Sequence, residues 1–288
     1  IGGSKTGKIT HYRLEVLQDS GAYPKYGAGL PELTKRMASG VYAIENIEFS
    51  SMSVATNTAS VCAFRGAGRP EATAAIERAV DLFASEIAMD PAEVRRINML
   101  PPEAFPYVTP TGANMDSGDY EVCLDRALGV AGYSDLRAEQ KRKREIGDSL
   151  QIGIGVSSYV EITGFGGSEY GEVRLQHDGT ILATTGSTPI GTGHHTTWAM
   201  LVADRLSVPL ESIKVLHGDT DAVPSGETTG GSRSVQIAGS AIANASEKLV
   251  ELAKESAANL FEAAVEDIVF DQERGEFHVV GTPATTRT

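Results

Sequence analysis

Apolar residues recur along this 288-residue chain at two periods, and the switches between them mark its elements. Ile9 to Leu17 reads as a strand that leads into the turn Asp19-Ser20-Gly21. Leu33 to Ala38 reads as a short helix. Ile44 to Val54 is a second strand, with Ile44, Ile47, Phe49 and Met52 as its apolar members. After Pro70, the residues Ile76, Ala79/Val80, Phe83 and Ile87 recur at helical spacing and form a core stripe. Asp90-Pro91-Ala92-Glu93 supplies an N-cap, a first-position proline and an acid. It predicts a helix to about Met99, stopped by Pro101 and Pro102. Residues 101–118 read as a loop, and Asp119 to Leu128 as a third helix. The basic run Lys141-Arg142-Lys143-Arg144 reads as a solvated linker helix.

The second half alternates glycine-punctuated strands with helices. Ile152–Ile162, Glu169–Gln176, Ile181–Thr185 and Ile213–Leu216 are predicted strands. A helix carries Trp198, Leu201/Val202 and Leu206 on one face. A long helix, about Val235 to Ala264, carries Ala238, Ile242, Ala245, Leu249 and Leu252. Ile268–Asp271 and Glu276–Val280 are a terminal strand pair.

Composition narrows the function. The net charge of −13 argues against a nucleic-acid partner, which needs a basic footprint. No apolar run is long enough to span a membrane. Two cysteines, Cys62 and Cys123, provide neither a disulfide framework nor a four-thiolate cluster site. They are read as buried small hydrophobes in a reducing, cytoplasmic compartment. The chain begins at Ile1 and ends at Thr288, and is read as a fragment, incomplete at both ends.

The 31 glycines concentrate in loops that open helices. Cys62-Ala63-Phe64-Arg65-Gly66-Ala67-Gly68-Arg69-Pro70 precedes one helix. Gly191-Thr192-Gly193-His194-His195 precedes another, and Thr229-Gly230-Gly231-Ser232-Arg233-Ser234 a third. A helix N-terminus with nearby backbone amides favours anions. A ligand with several phosphates or polar edges suits all three; three unrelated tight connections is the other reading. Gly2 to Lys8 nearly matches GxxxxGK, but Ile9 replaces the Ser or Thr and no strand precedes it, so it reads as a turn. His194, His217 and Asp219 can be drawn as a metal-hydrolase cluster, yet adjacent histidines on a helix diverge. Asp219 and Asp221 read as turn residues. Glu161 is a candidate pocket carboxylate or an ion-pair member.

The three loops carry a resemblance. Ala63 to Glu71 resembles the AYRGAGRPE signature of the xanthine dehydrogenase and aldehyde oxidase family. The resemblance is nearest to large subunits related to aerobic carbon monoxide dehydrogenase. Gly186 to Thr197 resembles that family's segment ending GQGHxT. Gly218-Asp219-Thr220-Asp221 with Thr229 to Ser234 resembles its GDTD…GTxGSRS segment. Order and spacing agree over essentially the whole chain.

The resemblance implies an α+β chain of two sheet-and-helix subdomains, 1–146 and 147–288, meeting around a cofactor cleft. The first is the C-terminal part of one molybdenum-cofactor-binding subdomain, the second the N-terminal part of another. The implied cofactor is molybdopterin, in the cytosine dinucleotide form. Phe64, Arg65, Gly66 and Ala67 would lie at its molybdenum end. Gly191, Thr192, Gly193, His194, Thr229, Gly230, Gly231, Ser232, Arg233 and Ser234 would hold the pterin and phosphates. Gly66, Ala67 and Glu161 would border substrate. No protein side chain would ligate the metal.

The implied reaction is hydroxylation of an aldehyde or N-heteroaromatic carbon by water. Electrons would leave through Fe–S clusters and FAD on partner subunits or domains, with an iron–sulfur subunit and an FAD subunit expected in a dimer of heterotrimers. Four departures qualify this. Thr192 replaces the family's Gln, and His195 its Glu. Gly66 stands where copper-containing members carry Cys, and Ala67 where purine oxidisers carry an aromatic ring. The catalytic Glu of a GxGE motif is expected beyond Thr288, and the GGxFG motif upstream, so this stretch alone is expected to be inactive. A cofactor-free scaffold or assembly paralogue is the rival reading.

Overall fold

The computed structural model describes residues 1–164 and 166–288. It divides into two compact units, Ile1–Ile162 and Thr163–Thr288. The break falls later than the expected position at 146, because residues 147–162 are held by the first unit. Gln140 Nε2 donates to Ile152 O at 2.9 Å and Ser158 N to Glu77 Oε2 at 3.0 Å. Val156 and Val160 pack on the first unit's core.

In the first unit, β1 (Gly2–Gly3) pairs antiparallel and β3 (Asn46–Val54) parallel with β2 (Ile9–Asp19). The segment that nearly matched a phosphate loop is the hairpin between β1 and β2, closed by Ser4 N to Lys8 O at 2.8 Å. Parallel pairing needs a crossover, and α1 (Leu30–Arg36) lies within it, starting early because Pro31 fits its first turn. Ile76, Val80 and Phe83 of α2 (Arg69–Glu86) and Val94 of α3 (Pro91–Asn98) bury against Ile9, Tyr12, Val41, Tyr42 and Ile44. The Asp90 side chain caps α3 by accepting from Ala92 N, as its sequence predicts. Met52 does not join this core: it is 64% exposed, since burial along β3 stops after Phe49.

A buried polar hub ties α2 to α3. Glu77 accepts from the Tyr42 hydroxyl at 2.6 Å and from Arg95 Nε at 2.9 Å, and Arg95 also meets Asp81 at 2.9 Å. Burial, then the Glu77 charge, pushes the Tyr42 hydroxyl well above its ordinary range.

Residues 101–118 contain more than a loop. β4 (Tyr107–Val108) and β5 (Asn114–Met115) form a short ladder. α4 (Tyr120–Ala131), capped by Asp119, and α5 (Tyr133–Glu145) follow. The basic run lies on α5, where Arg142 pairs with Glu139 at 2.6 Å, which agrees with a solvated helix. The predicted strand Ile152–Ile162 has no ladder partner among the described residues. Cys62 and Cys123 are both free and exposed rather than buried. Cys62 lies on the loop before α2, and α4 buries only Leu124 beside Cys123.

In the second unit, β6 (Gly171–Leu175) is antiparallel and β8 (Ile213–Leu216) parallel to β7 (Ile181–Thr185). Both α6 (His194–Leu206) and α7 (Ser240–Phe261) contribute to its core of Val173, Ile181, Ala183, Trp198, Val202, Ala238 and Ile242. The helix expected from Val235 starts instead with a wide, π-type turn at Ser234–Gly239. There Ile237 N and Ala238 N both reach Arg233 O. Leu252 is 57% exposed, outside the buried part of its stripe. β9 (Ile268–Asp271), β10 (Glu276–Val279) and β11 (Thr286–Arg287) form an antiparallel sheet, with Ala257, Ala258 and Ile268 buried together. Among the described residues no helix is long and apolar enough to cross a membrane.

Candidate functional site

The glycine loop of the first unit is a chain of left-handed residues: Gly66 at φ +110°, Ala67 at +47° and Gly68 at +85°. Ala67 N closes it onto Phe64 O at 2.8 Å, and Thr34 Oγ1 donates to Gly68 O at 3.0 Å. A Cβ on Gly66 would lie 2.4 Å from Pro70 Cγ, so the loop as folded has no room for a larger residue there. Phe64 and Arg65 point into solvent, Phe64 with 84% of its surface exposed, while Gly66 and Ala67 are half-buried. Arg69, buried, meets Glu161 Oε1 at 2.7 Å. Glu161 thus carries an ion pair, one of its two expected roles.

The other two loops come together within the second unit. A Cβ on Gly186 would lie 2.4 Å from Gly226 Cα, so the two strands of backbone touch where only glycines permit it. Glu169, its side chain fully buried, joins them. It accepts from Ser187 Oγ at 2.8 Å and Glu227 N at 3.3 Å, and faces Arg233 Nη1 at 3.5 Å. Arg233 also meets Glu227 Oε2 at 2.8 Å and Ser168 O at 3.0 Å. Beyond this lock, Thr229 Oγ1 donates to Thr188 O at 2.7 Å, and Ser234 Oγ bonds Thr229 Oγ1 at 3.1 Å. The indole of Trp198, buried under α6, donates to Ser234 O at 2.8 Å. The starts of α6 and of the wide turn are therefore held side by side.

What this arrangement offers is unpaired amides. Neither Gly193, at the start of α6, nor Arg233, at the start of the wide turn, caps with its side chain. Among the described residues the amides of His194, His195 and Thr196, and of Gly230 and Gly231, have no protein acceptor. Arg233 Nε is buried without one. Gly191 and Gly193, at φ +88° and +79°, have open space where a Cβ would stand. Such a surface can take a multiply anionic ligand through backbone donors and helix dipoles.

The histidines divide the work. His194 tilts over Trp198, ring centroids 5.1 Å apart, within 3.1 Å of Thr192 Oγ1. His217 Nε2 lies 3.0 Å from His195 Nε2. Burial, then the His195 charge, lowers the pKa of both His194 and His217 below its usual value. His217 thus pairs with His195, not with His194. Among the described residues no three His, Cys, Asp or Glu side chains gather as a metal site. Asp219 accepts from Asp221 N at 2.9 Å, the turn role its sequence predicts. Sequence reasoning missed Glu169, Ser187 and the positioning role of Trp198. The buried carboxylate inside a polar stretch, 18 residues before Ser187 and 58 before Glu227, had no local signal.

Two family models, each described as a molybdopterin cofactor-binding domain, match residues 1–99 and 126–287. The carbon monoxide dehydrogenase large chain of Afipia carboxidovorans is 36% identical over all of this chain and 38% of its own length. The xanthine dehydrogenase molybdenum-binding subunit of Escherichia coli O157:H7 is 30% identical over 87% of this chain and 33% of its own. The crystal structure of quinoline 2-oxidoreductase from Pseudomonas putida 86 superposes with a TM-score of 0.86 at 29% identity, covering 98% of this chain and 37% of that one. This chain therefore spans less than half the length of these relatives. With both models matched and the loops in order, the chain belongs to the molybdopterin cofactor-binding domain family, as found in the molybdenum-binding large subunits of the xanthine dehydrogenase family.

Proposed function

We propose that this chain is the cofactor-holding part of a molybdenum hydroxylase large subunit. The observation that carries the reading is the pair of glycine loops in the second unit, locked by Glu169 and Arg233 with their amides unpaired. Those donors suit molybdopterin in its cytosine dinucleotide form, which presents phosphates and polar heterocycle edges. Gly191, Thr192, Gly193 and His194 would hold one part of it, and Thr229 to Ser234 another. Arg233 acts through its carboxylates, setting the loop rather than reaching out. In the first unit, Phe64 to Ala67 supply the loop that would face the metal end, with Glu161 near substrate as the partner of Arg69.

When bound, the cofactor supplies two-electron oxidation of an aldehyde or N-heteroaromatic carbon, with water as the oxygen source. The chain's own share is binding and orientation. Amides at the start of α6 neutralise anionic charge, and Thr192 orients His194 against Trp198. Carbon monoxide is outside this reading. Gly66 offers no thiolate, and its φ and contact with Pro70 leave no space for one. The electrons leave through Fe–S and FAD centres on partner subunits or domains, in keeping with the two free, separate cysteines of residues 1–288, which form no four-thiolate site. We place the complex, a dimer of heterotrimers, in the cytoplasm.

The test is molybdenum and pterin content of the full-length protein purified with its partners from molybdenum-replete cells. Equimolar metal and pterin support the reading; neither in a well-assembled complex would sink it. That second result would favour the scaffold reading, for which the internal pairs Thr192–His194 and His195–His217 are the motive.

A further inference from the structure

The side chains of His195 and His217 serve no purpose in the cofactor reading, yet the second unit brings them together. They stand 22 residues apart in the chain, with His217 Nε2 3.0 Å from His195 Nε2. His195 is the second residue of α6, and His217 follows the last residue of β8. Both elements are anchored in one core, α6 through Trp198 and Val202, β8 through Ile213 and Val215. Gly218, at φ +71°, turns the chain away directly after His217. Ala222 N and Val223 N then close the following turn onto Asp219 O. Two facing imidazoles allow two chemistries. With a proton between them they form a hydrogen bond, and with both nitrogens bare they chelate a metal ion. At metal–nitrogen distances of about 2.0–2.1 Å, two ligands stand about 2.8–3.4 Å apart, from square-planar to tetrahedral angles. The observed 3.0 Å falls inside that span. Rings meeting head-on at this separation would hold their centroids farther apart than the observed 4.7 Å. They therefore meet at an angle, with 65° between their planes, as chelation requires.

We propose that His195 and His217 form a two-nitrogen site for a divalent transition-metal ion of the Zn(II) and Cu(II) class. Imidazole suits these ions, whereas Mg(II) and Ca(II) take oxygen ligands. His217 Nδ1 is buried without a partner, so Nε2 is the nitrogen that this ring presents. The His195 side chain is exposed, so an ion and its waters reach the pair from solvent. Asp219 spends its carboxylate on Asp221 N at 2.9 Å. Among the described residues no third His, Cys, Asp or Glu side chain joins the pair, so water fills the remaining positions. Bound there, the ion ties the end of β8 to the first turn of α6. It also sets positive charge beside the unpaired amides of that turn.

Zn(II) titration tests this on the full-length protein, purified with its partners, cleared of loosely held ions by a chelator and titrated at neutral pH against a chromophoric competitor. Wild type is expected to hold one Zn(II) that His195→Gln and His217→Gln each bind at least about tenfold more weakly, since losing even an outer partner of a ligand costs that much. The double variant should bind no more weakly than either single one, because a lone imidazole chelates nothing. His177→Gln, at an exposed histidine between β6 and β7, should bind like wild type. His195→Gln removes an exposed ring and disturbs no packing, so its loss of binding reads the site itself. Equal affinity and stoichiometry in wild type and either single variant overturn the proposal. Cu(II) added to the oxidised complex reads the ligand set. Its electron paramagnetic resonance spectrum should show two imidazole nitrogens in wild type and at most one in either single variant; unchanged spectra overturn the assignment. Neither readout depends on molybdenum content, so failure here is distinguishable from failure of the cofactor reading.

Discussion

Gly68 combines a left-handed backbone with close backbone neighbours: a Cβ there would lie 2.6 Å from Leu30 O and 2.9 Å from Thr34 N. Gly112 has a similar φ of +86° but open space around it. Gly68→Ala should therefore cost at least about 2 kcal/mol and Gly112→Ala about 1 kcal/mol, measured by denaturant unfolding. Equal losses would mean that the packing around Gly68 yields freely. The histidines make a second prediction at this scale. His194 and His217 titrate below their ordinary value of 6.5 when folded. The folded state then binds fewer protons than the unfolded one. Stability is full above that value and falls as pH drops from it toward the folded pKa. Unfolding at pH ~7.5 and ~5.5 should show this loss, and a His194→Gln/His217→Gln double variant should reduce it. A slope unchanged in the double variant would assign it to carboxylates instead.

Between elements, the joint of α2 and α3 rests on Arg95, which is fully buried against Glu77 and Asp81. Removing one member leaves charge without solvent, at a cost of about 3–5 kcal/mol for Arg95→Met. Arg13 on β2, paired with Glu15 and Glu48 on the surface, is the contrast: Arg13→Met should change stability by less than about 1 kcal/mol. Thermal unfolding of both variants decides it. Elements were legible where the sequence sets periodicity and caps locally. Ile213–Leu216 is a strand with its expected ends, and Asp90 caps α3. The wide turn at Ser234–Gly239 was not legible. Its geometry follows from the buried Arg233 and from Trp198 binding Ser234 O, both long-range. The ladder of β4 and β5 escaped for a related reason: two-residue strands leave no period to read.

At the scale of the molecule, the prediction concerns the lock that joins two loops of the second unit. Arg233→Lys keeps the charge but loses the planar fork that spans Glu169, Glu227 and Ser168. The full-length variant is expected to assemble while retaining much less molybdenum and pterin than wild type. Undiminished content would show that the lock does not shape the binding surface. The sequence by itself determined the class of elements, the three glycine loops and the family, because these depend on residue type and order along the chain. It also limited the site to small, polar and backbone-rich loops. Only the tertiary structure decided that the second and third loops touch at Gly186 and Gly226, and that Glu169 joins them. Likewise it placed Glu161 on Arg69, paired His217 with His195, exposed both cysteines and gave residues 147–162 to the first unit. Each of these depends on which distant groups share a buried space, and burial and charge pairing across long separations leave no period in the chain to be read.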